Sequence, residues 1–489
     1  MTRATGPVLV AAALALFALR FADVDLASFT RDEPQFLAAA REQPRTGRWL
    51  AANPLFGNLG RRYGPVAFWF YGATSAVLGD DPRRAILAMG AVLTAAQLAL
   101  AWGQTRALGQ RTVFFAVLSA WIASSPYLFF WSRMAWDLTS LAGALAAVAL
   151  LALPGPLGLR RAALVGVALA VGLGTHPMVT PLVVAVGLAL AWELRATPRR
   201  LLATLGVMSA AGVTILLPHL LYLLRARAVS RAPWRVHSVA DVAGLALEAP
   251  MIATPWRIDR YFDGSWDAFV AWSGCAPLAR ASFVLTVAVG AAAVAGLACA
   301  LRSPADAERR LARVGALVWP GVVIMLVVLG LDGHVHYQFS AAWVPFFGVA
   351  ALVATLLRRA PRWGRAALAV VGAIALLQAG LVVQWMRFLR VHDGTRGPTY
   401  GTAVGAQIAA TRAACALPEP RIALRNETAQ FRYPFEYLAR TDPACAGKTV
   451  VVCAEAPGPF ARPCPPDEPG TRLVRLRYAR ESGGALRVD

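Results

Sequence analysis

The sequence predicts an all-α polytopic membrane protein with a small α/β domain outside the membrane at its C-terminal end. Three observations lead there. Of its 489 residues, 57% are hydrophobic and 15% charged, and the mean hydropathy is +0.53, too apolar for one soluble globule with a polar surface. The apolar residues fall into separate runs of roughly helical span length. The excess positive charge, +21 in all, collects in short Arg-rich connections between those runs and forms no continuous basic face, so it reports topology and excludes a nucleic-acid partner.

Taken in order, the runs lie near 6–22, 85–103, 112–130, 138–153, 162–175, 178–192, 201–224, 281–301, 315–331, 340–357 and 367–386. The first follows Arg3 but lacks a small-residue cleavage site, so it is expected to remain as a helix rather than to be removed as a signal. Cytoplasmic loops retain Lys and Arg, and clusters of two to four Arg obey this rule on every second connection: Arg106 and Arg111; Arg160 and Arg161; Arg195, Arg199 and Arg200; Arg302, Arg309, Arg310 and Arg313; Arg358, Arg359, Arg362 and Arg365. The rule holds only if the aromatic stretch from Pro65 to Gly79 lies at the membrane surface and does not cross. The expectation is about eleven spans in a cell inner (plasma) membrane, with the N-terminus cytoplasmic and the C-terminus outside.

This topology makes residues 1–386 a membrane module with two large outer loops, 23–84 and 225–280, followed by an outer domain at 387–489. The tail reads as a helix near 402–414 and strands at 421–425, 448–454 and 472–478 with Pro-rich connections, about a hundred residues and large enough for its own core. It contains Cys415, Cys445, Cys453 and Cys464, an even set on the outer side that suits two disulfides; nearness favours Cys415 with Cys445 and Cys453 with Cys464. The rival is a zinc site, but the set has no Cys-x-x-Cys pair and no His.

The first outer loop carries two adjacent acids, Asp32 and Glu33, beside a bilayer. Carboxylates are costly there unless used, so they are the leading candidates for chemistry, against the plainer reading of solvated loop acids. Arg61, Arg62, Arg133, Arg257 and Arg260 also fall on the outer side, where a planar guanidinium can engage two phosphate oxygens or simply meet lipid head groups. His336, two residues after His334, opens a late helix and could join a divalent metal site or face water. His176 precedes Pro177 at a helix break, where freed backbone groups need partners. No Gly-x-x-x-x-Gly-Lys loop or Gly-x-Gly-x-x-Gly turn follows a strand, so no nucleotide cofactor is expected.

Asp32-Glu33, then Tyr63-Gly64-Pro65, Leu78-Gly79-Asp80-Asp81-Pro82-Arg83-Arg84, Ser125-Pro126 with Arg133 and Asp137, Thr175-His176-Pro177, and His336-Tyr337 with Pro345 form an ordered set. Together they resemble the C-type (GT-C) glycosyltransferases, and more narrowly the bacterial relatives of the protein O-mannosyltransferases and of the lipid A aminoarabinose transferases, similar to glycosyltransferase families 39 and 83. The resemblance covers most of 1–386. It implies transfer of a sugar from a polyprenyl-phosphate donor to a lipid, glycan or protein acceptor, at a hydroxyl or phosphate on the outer side. In this reading Asp32 is the general base, a role worth roughly 10²–10⁴ in rate. Glu33 orients the acceptor or assists a metal, the outer arginines and Tyr337 bind donor phosphate, and Asp137, His176 and His336 line the cavity. Gly64 stands where the aminoarabinose transferases carry Lys, which ranks a neutral hexose or pentose ahead of aminoarabinose. A transporter or flippase for lipid-linked sugars would use a similar cavity without bond chemistry, but no paired halves with matching broken helices are evident. A non-catalytic scaffold is the third possibility.

Overall fold

The computed structural model describes residues 5–30, 32–54, 62–226, 236–261, 265–331, 333–395, 401–426, 432–454, 471–478 and 486–488. The protein is mainly helical, and each apolar run of the sequence becomes helix. In chain order the helices are α1 (Thr5–Ala18), α2 (Asp32–Thr46), α3 (Val66–Leu78), α4 (Pro82–Ala107), α5 (Thr112–Ser124), α6 (Pro126–Trp131), α7 (Thr139–Ala152), α8 (Leu159–Leu173) and α9 (Thr180–Leu194). There follow α10 (Pro198–Arg225), α11 (Val239–Ile252), α12 (Trp266–Ser273), α13 (Ala276–Leu301), α14 (Asp306–Leu329), α15 (Val344–Arg359) and α16 (Pro361–His392). The tail adds α17 (Val404–Cys415) and α18 (Arg432–Thr441).

Among the described residues, six helical segments are long and apolar enough to cross a membrane: α4, the continuous Pro177–Leu194, α10, α13, α14 and α16. This is a multi-pass membrane protein. Helices α1, α5 and α7 are apolar but shorter, so the span lengths expected from the sequence are not reached everywhere. The run expected at 112–130 is divided, because Pro126 has no N–H to continue α5 and instead starts α6 behind Ser125, whose Oγ accepts from the Leu128 N–H at 3.3 Å.

Small residues let the helices approach closely, as they must where no hydrophobic effect drives association. A Cβ added to Gly296 of α13 would lie 1.7 Å from the Gly348 carbonyl oxygen of α15, and one on Gly166 of α8 would lie 2.2 Å from that of Met208 in α10. The other main pairings are α4 with α7, α7 with α8, α1 with α5, α5 with α16 and α9 with α14.

The connections sort to two ends. At one, Arg310 of α14 is fully buried and donates to both Glu193 oxygens at 2.8 and 2.6 Å and to Leu151 O at 3.1 Å, while Arg358 donates to Glu308 at 3.1 Å and Leu108 O at 3.2 Å. Arg161 donates to the carbonyls of Leu153 and Gly155 at 3.0 and 2.9 Å. These arginines, which the sequence offered as markers of sidedness, also bind the helix ends together. Helix α3 has both its ends at the opposite end of the bundle: Val66 N donates to Gly174 O at 3.1 Å, and just past Leu78, Arg83 reaches Asp25 at 3.1 Å. It lies across that end, next to α2.

The tail folds as a sheet of order β2-β1-β3-β4, from β1 (Arg421–Asn426), β2 (Thr449–Ala454), β3 (Thr471–Tyr478) and β4 (Leu486–Val488). Strand β1 pairs parallel to β2 and β3, and β4 antiparallel to β3. Ile422, Leu424, Phe435, Val452 and Val474 form its core. The sequence had no expectation of α18 or β4: β4 is three residues long and shows no period. Cys415 and Cys445 are joined as a disulfide, Cys453 is also disulfide-bonded, and Cys464 lies outside the described residues.

Replacing Gly296 with Val should force α13 and α15 apart at backbone contact, destabilising the protein by at least about 2 kcal/mol. Gly372→Val in α16, where nothing lies within 4 Å, is the control. Thermal unfolding of detergent-purified protein checks this, and equal stability of the two variants would contradict the close crossing.

Candidate functional site

The chemistry-bearing side chains gather where α2, the 131–138 turn, the 174–177 break, the 253–261 loop and the 333–339 segment meet. Asp32 and Glu33 open α2 but are set in different surroundings. The Glu33 carboxylate folds back before the first turn to accept from the Thr30 N–H at 3.2 Å and its hydroxyl at 3.0 Å, and from the Ser28 hydroxyl at 3.4 Å. Glu33 is 1% exposed and so closes the first turn of α2 from beneath, while Asp32 is exposed at the same helix N-terminus, where a negative charge is favoured.

Asp137 lies opposite. It is 6% exposed, and its Oδ1 has no hydrogen-bond partner among the described residues. Burial, and after it the nearby charge of Asp32, push the Asp137 carboxyl up to about 8. Burial likewise pushes Glu33 up to about 7, against the opposing pull of its hydrogen bonds. Three carboxyl groups thus share one end of the bundle with a single one facing solvent. Tyr71 from α3 fixes the turn beside them, its hydroxyl donating to Trp136 O at 2.6 Å.

An aromatic and imidazole wall borders the acids. Tyr63 meets His176 at 4.8 Å between ring centroids, Trp136 meets His336 at 4.8 Å, and His336 meets Tyr337 at 4.4 Å and His334 at 5.2 Å. His176 and His336 are 6.4 Å apart. Burial lowers His176 to about 3 and His336 well below its ordinary range, so both rings are neutral. The Nδ1 of His176 accepts from the Met178 N–H at 3.2 Å, which leaves Nε2 carrying the proton. Gly64 is where this wall closes on the bundle: a Cβ there would stand 2.1 Å from Gly174 O, so only glycine permits the approach.

The arginines divide in two. Arg133 is 1% exposed and turned inward, donating from Nη1 to the carbonyls of Arg20 at 2.9 Å and Ala22 at 2.6 Å, and from Nη2 to that of Asp23 at 2.6 Å. It closes the end of α1, which removes it from the phosphate-facing position the sequence suggested, because its two outer nitrogens serve backbone oxygens. Arg257 and Arg260 sit on a loop held by Trp121 Nε1 and Gln378 Nε2, which donate to Ala253 O at 3.0 and 2.8 Å, and by Tyr127, which donates to Trp256 O at 2.7 Å. Arg257 has φ +56°, a left-handed conformation unusual for its type. Arg260 faces the buried carboxylate of Glu248 at 4.0 Å. Arg62 is half-buried beside Tyr63, and Arg61 lies outside the described residues. Among the described residues no group of three or more His, Cys, Asp or Glu side chains is arranged to hold a metal ion, so the His334–His336 pair has no third donor there.

Sequence reasoning missed Tyr71, Trp136, Glu248 and Gln338, which act through contacts between distant segments.

Acids whose folded values are raised add stability that is complete below their unfolded values, 3.8 for Asp137 and 4.5 for Glu33, and is lost as pH rises through about 7 to 8. The thermal stability of the purified protein should therefore decline from pH 5 to pH 8, and Asp137→Asn should reduce that decline. An unchanged slope in the variant would place Asp137 in a solvated setting.

No protein-family model matches the chain, and no curated protein matches it in sequence. Solved structures do match in fold. ArnT from Cupriavidus metallidurans bound to undecaprenyl phosphate aligns over 93% of this chain and 87% of its own, with 16% identity and a TM-score of 0.56. The same enzyme in the apo state gives 15% identity over 93% of this chain and 87% of its own, with a TM-score of 0.47. The archaeal oligosaccharyltransferase AglB from Archaeoglobus fulgidus gives 10% over 92% of this chain and 64% of its own, with a TM-score of 0.48. ArnT is a lipid A aminoarabinose transferase, and both it and AglB are GT-C glycosyltransferases. At these identities the likeness is one of fold, which this chain shares with ArnT over most of both chains.

Proposed function

We propose that the protein is an integral membrane glycosyltransferase that moves a sugar from a polyprenyl-phosphate donor to an acceptor hydroxyl on the extracytoplasmic side, with Asp32 as general base. The observation that carries this reading is the contrast between Asp32, exposed at the start of α2, and Asp137, buried beside it with an unpartnered oxygen. Two neighbouring carboxyls in opposite environments take opposite protonation states, which is how acid and base roles are divided.

In the proposed step Asp32 takes the proton of the acceptor hydroxyl as that oxygen attacks the anomeric carbon. The bond from that carbon to the phosphate oxygen breaks, and the polyprenyl phosphate leaves with the electron pair. Arg257 and Arg260, on their braced loop, are placed to meet the developing phosphate charge, with Arg62 as a further cation near the imidazole wall. Asp137, holding its proton, donates a hydrogen bond without adding a second negative charge. Trp136 and Tyr63 offer apolar ring faces to a sugar. Glu33 acts through the start of α2. The likeness to ArnT, seen bound to undecaprenyl phosphate, supports the donor class. Gly64, pressed against Gly174 in place of a cationic side chain, supports a neutral hexose or pentose. The eleven-span topology, with the N-terminus cytoplasmic and the site outside, is supported by α3 lying across one end and by the arginines gathered at the other.

Transfer from a radiolabelled polyprenyl-phosphate sugar by reconstituted protein should fall at least roughly 10²-fold in Asp32→Asn, and less in Glu33→Gln provided α2 stays folded. Full activity in Asp32→Asn would sink the assignment. For the topology, a reporter active only outside the cytoplasm should be active when fused after Asp489 and silent after Ala360. The reverse pattern would put the site on the cytoplasmic side.

A further inference from the structure

Glu248 is a buried acid near the site that the proposed reaction does not use. It lies on α11, 6% exposed, and its surroundings belong to two other parts of the site. Its Oε2 accepts from Gln338 Nε2 at 3.4 Å, and that amide also reaches Leu245 O at 3.4 Å. The chain at Gly333 is pressed so close that an added Cβ would stand 2.6 Å from Glu248 Oε1. On its other side the guanidinium of Arg260 is 4.0 Å away, beyond good hydrogen-bond distance and partly exposed. Arg257 is near enough to add a second positive influence, and burial pushes the carboxyl up to about 7. Glu248 therefore links the segment bearing His334, His336 and Tyr337 to the loop bearing the two arginines, through a loose ion pair at the point where a phosphate would be received.

We propose that Glu248 is a positioning counter-charge for the phosphate arm: it keeps Arg260 in place when the site is empty, releases it to the donor phosphate, and repels the phosphate product. The chemistry supplies the asymmetry. A sugar phosphodiester carries one negative charge, whereas the phosphomonoester left after transfer carries about −1.5 to −2 at neutral pH. The ionised form of Glu248, favoured by Arg260 and Arg257, lies one guanidinium away and disfavours the product more than the donor. This rests on the function proposed above and adds a determinant of product release.

The test measures binding of a polyprenyl phosphate to the full chain in detergent, together with kcat and KM for the sugar donor, in wild type, Glu248→Gln and Glu248→Asp. Gln preserves the volume and the contact with Gln338. Glu248→Gln is expected to bind the polyprenyl phosphate about tenfold tighter, the order expected for removing one partly screened like charge. Its kcat should drop as release slows while KM for the donor falls or holds, and Glu248→Asp should return towards wild type. Unchanged or weaker product binding in a Glu248→Gln protein of normal thermal stability would overturn the proposal and leave the transferase reading intact. If Glu248→Gln does not fold, Glu248→Asp decides by the same measurement: wild-type-like product binding supports a charge role, and weaker binding overturns it. Failure of the wild type to bind any polyprenyl phosphate would overturn both.

Discussion

A helix that ends among apolar neighbours cannot hand its last carbonyls to water, and the site depends on how one end of this bundle meets that demand. Arg20 donates to Gln97 at 2.6 Å and to the carbonyls of Ile122 and Ala123 at the end of α5 at 3.3 and 3.2 Å. Arg133 does the same for the end of α1, and Trp121, Ser125, Tyr127 and Gln378 secure the turn after α11. Hydrogen bonds from charged donors contribute about 1.5–3 kcal/mol each, and removing the donor strands a buried carbonyl at similar cost. Two cations at this end are thereby committed to the backbone. Arg257, by contrast, is exposed and Arg260 half-buried on the braced loop.

The same frame sorts the acids. Glu33, turned under its own helix, accepts from Thr30 and Ser28; Asp137, beneath Trp136, is held where charge is disfavoured; Asp32 alone faces out. Asp32 and Glu33 are adjacent in the sequence, yet successive positions on a helix point about 100° apart, which suffices to divide an exposed carboxylate from a buried one. The imidazoles follow the same logic, since burial keeps His176 and His336 neutral, with His176 accepting a backbone hydrogen bond.

The tail domain is coupled to this arrangement. Tyr437 donates to Asp80 O at 2.7 Å and stacks edge-on with Phe29 at 5.6 Å, while Gln407 donates to Phe29 O at 2.9 Å and Val404 N to Ala27 O at 3.0 Å. The segment 27–30 that leads into Asp32 is thus held between the bundle and the domain, so the direction in which α2 starts is set partly by residues more than 370 positions later in the chain. At the opposite end, the Arg310–Glu193 pair joins α14 to α9 and needs no such partner.

The sequence by itself determined the class, the order of the helices and the existence of an α/β tail, because hydropathy over twenty residues is a local quantity. It also located the acids and most of the segments that meet around them. What it could not assign were roles that depend on direction and neighbours. Arg133 and Arg257 look alike as residues on outer loops, but one points into the end of α1 and the other out of a braced turn. Asp137 is offered by the sequence only as a cavity residue, and its burial near Asp32 is seen only in the fold. Glu248 gave no signal at all, since its meaning lies in contacts between α11 and the two segments that carry Gln338 and Arg260. Charge and apolar length are written along the chain, whereas burial, and with it the state of every titratable group at this site, is decided by packing between segments far apart in it.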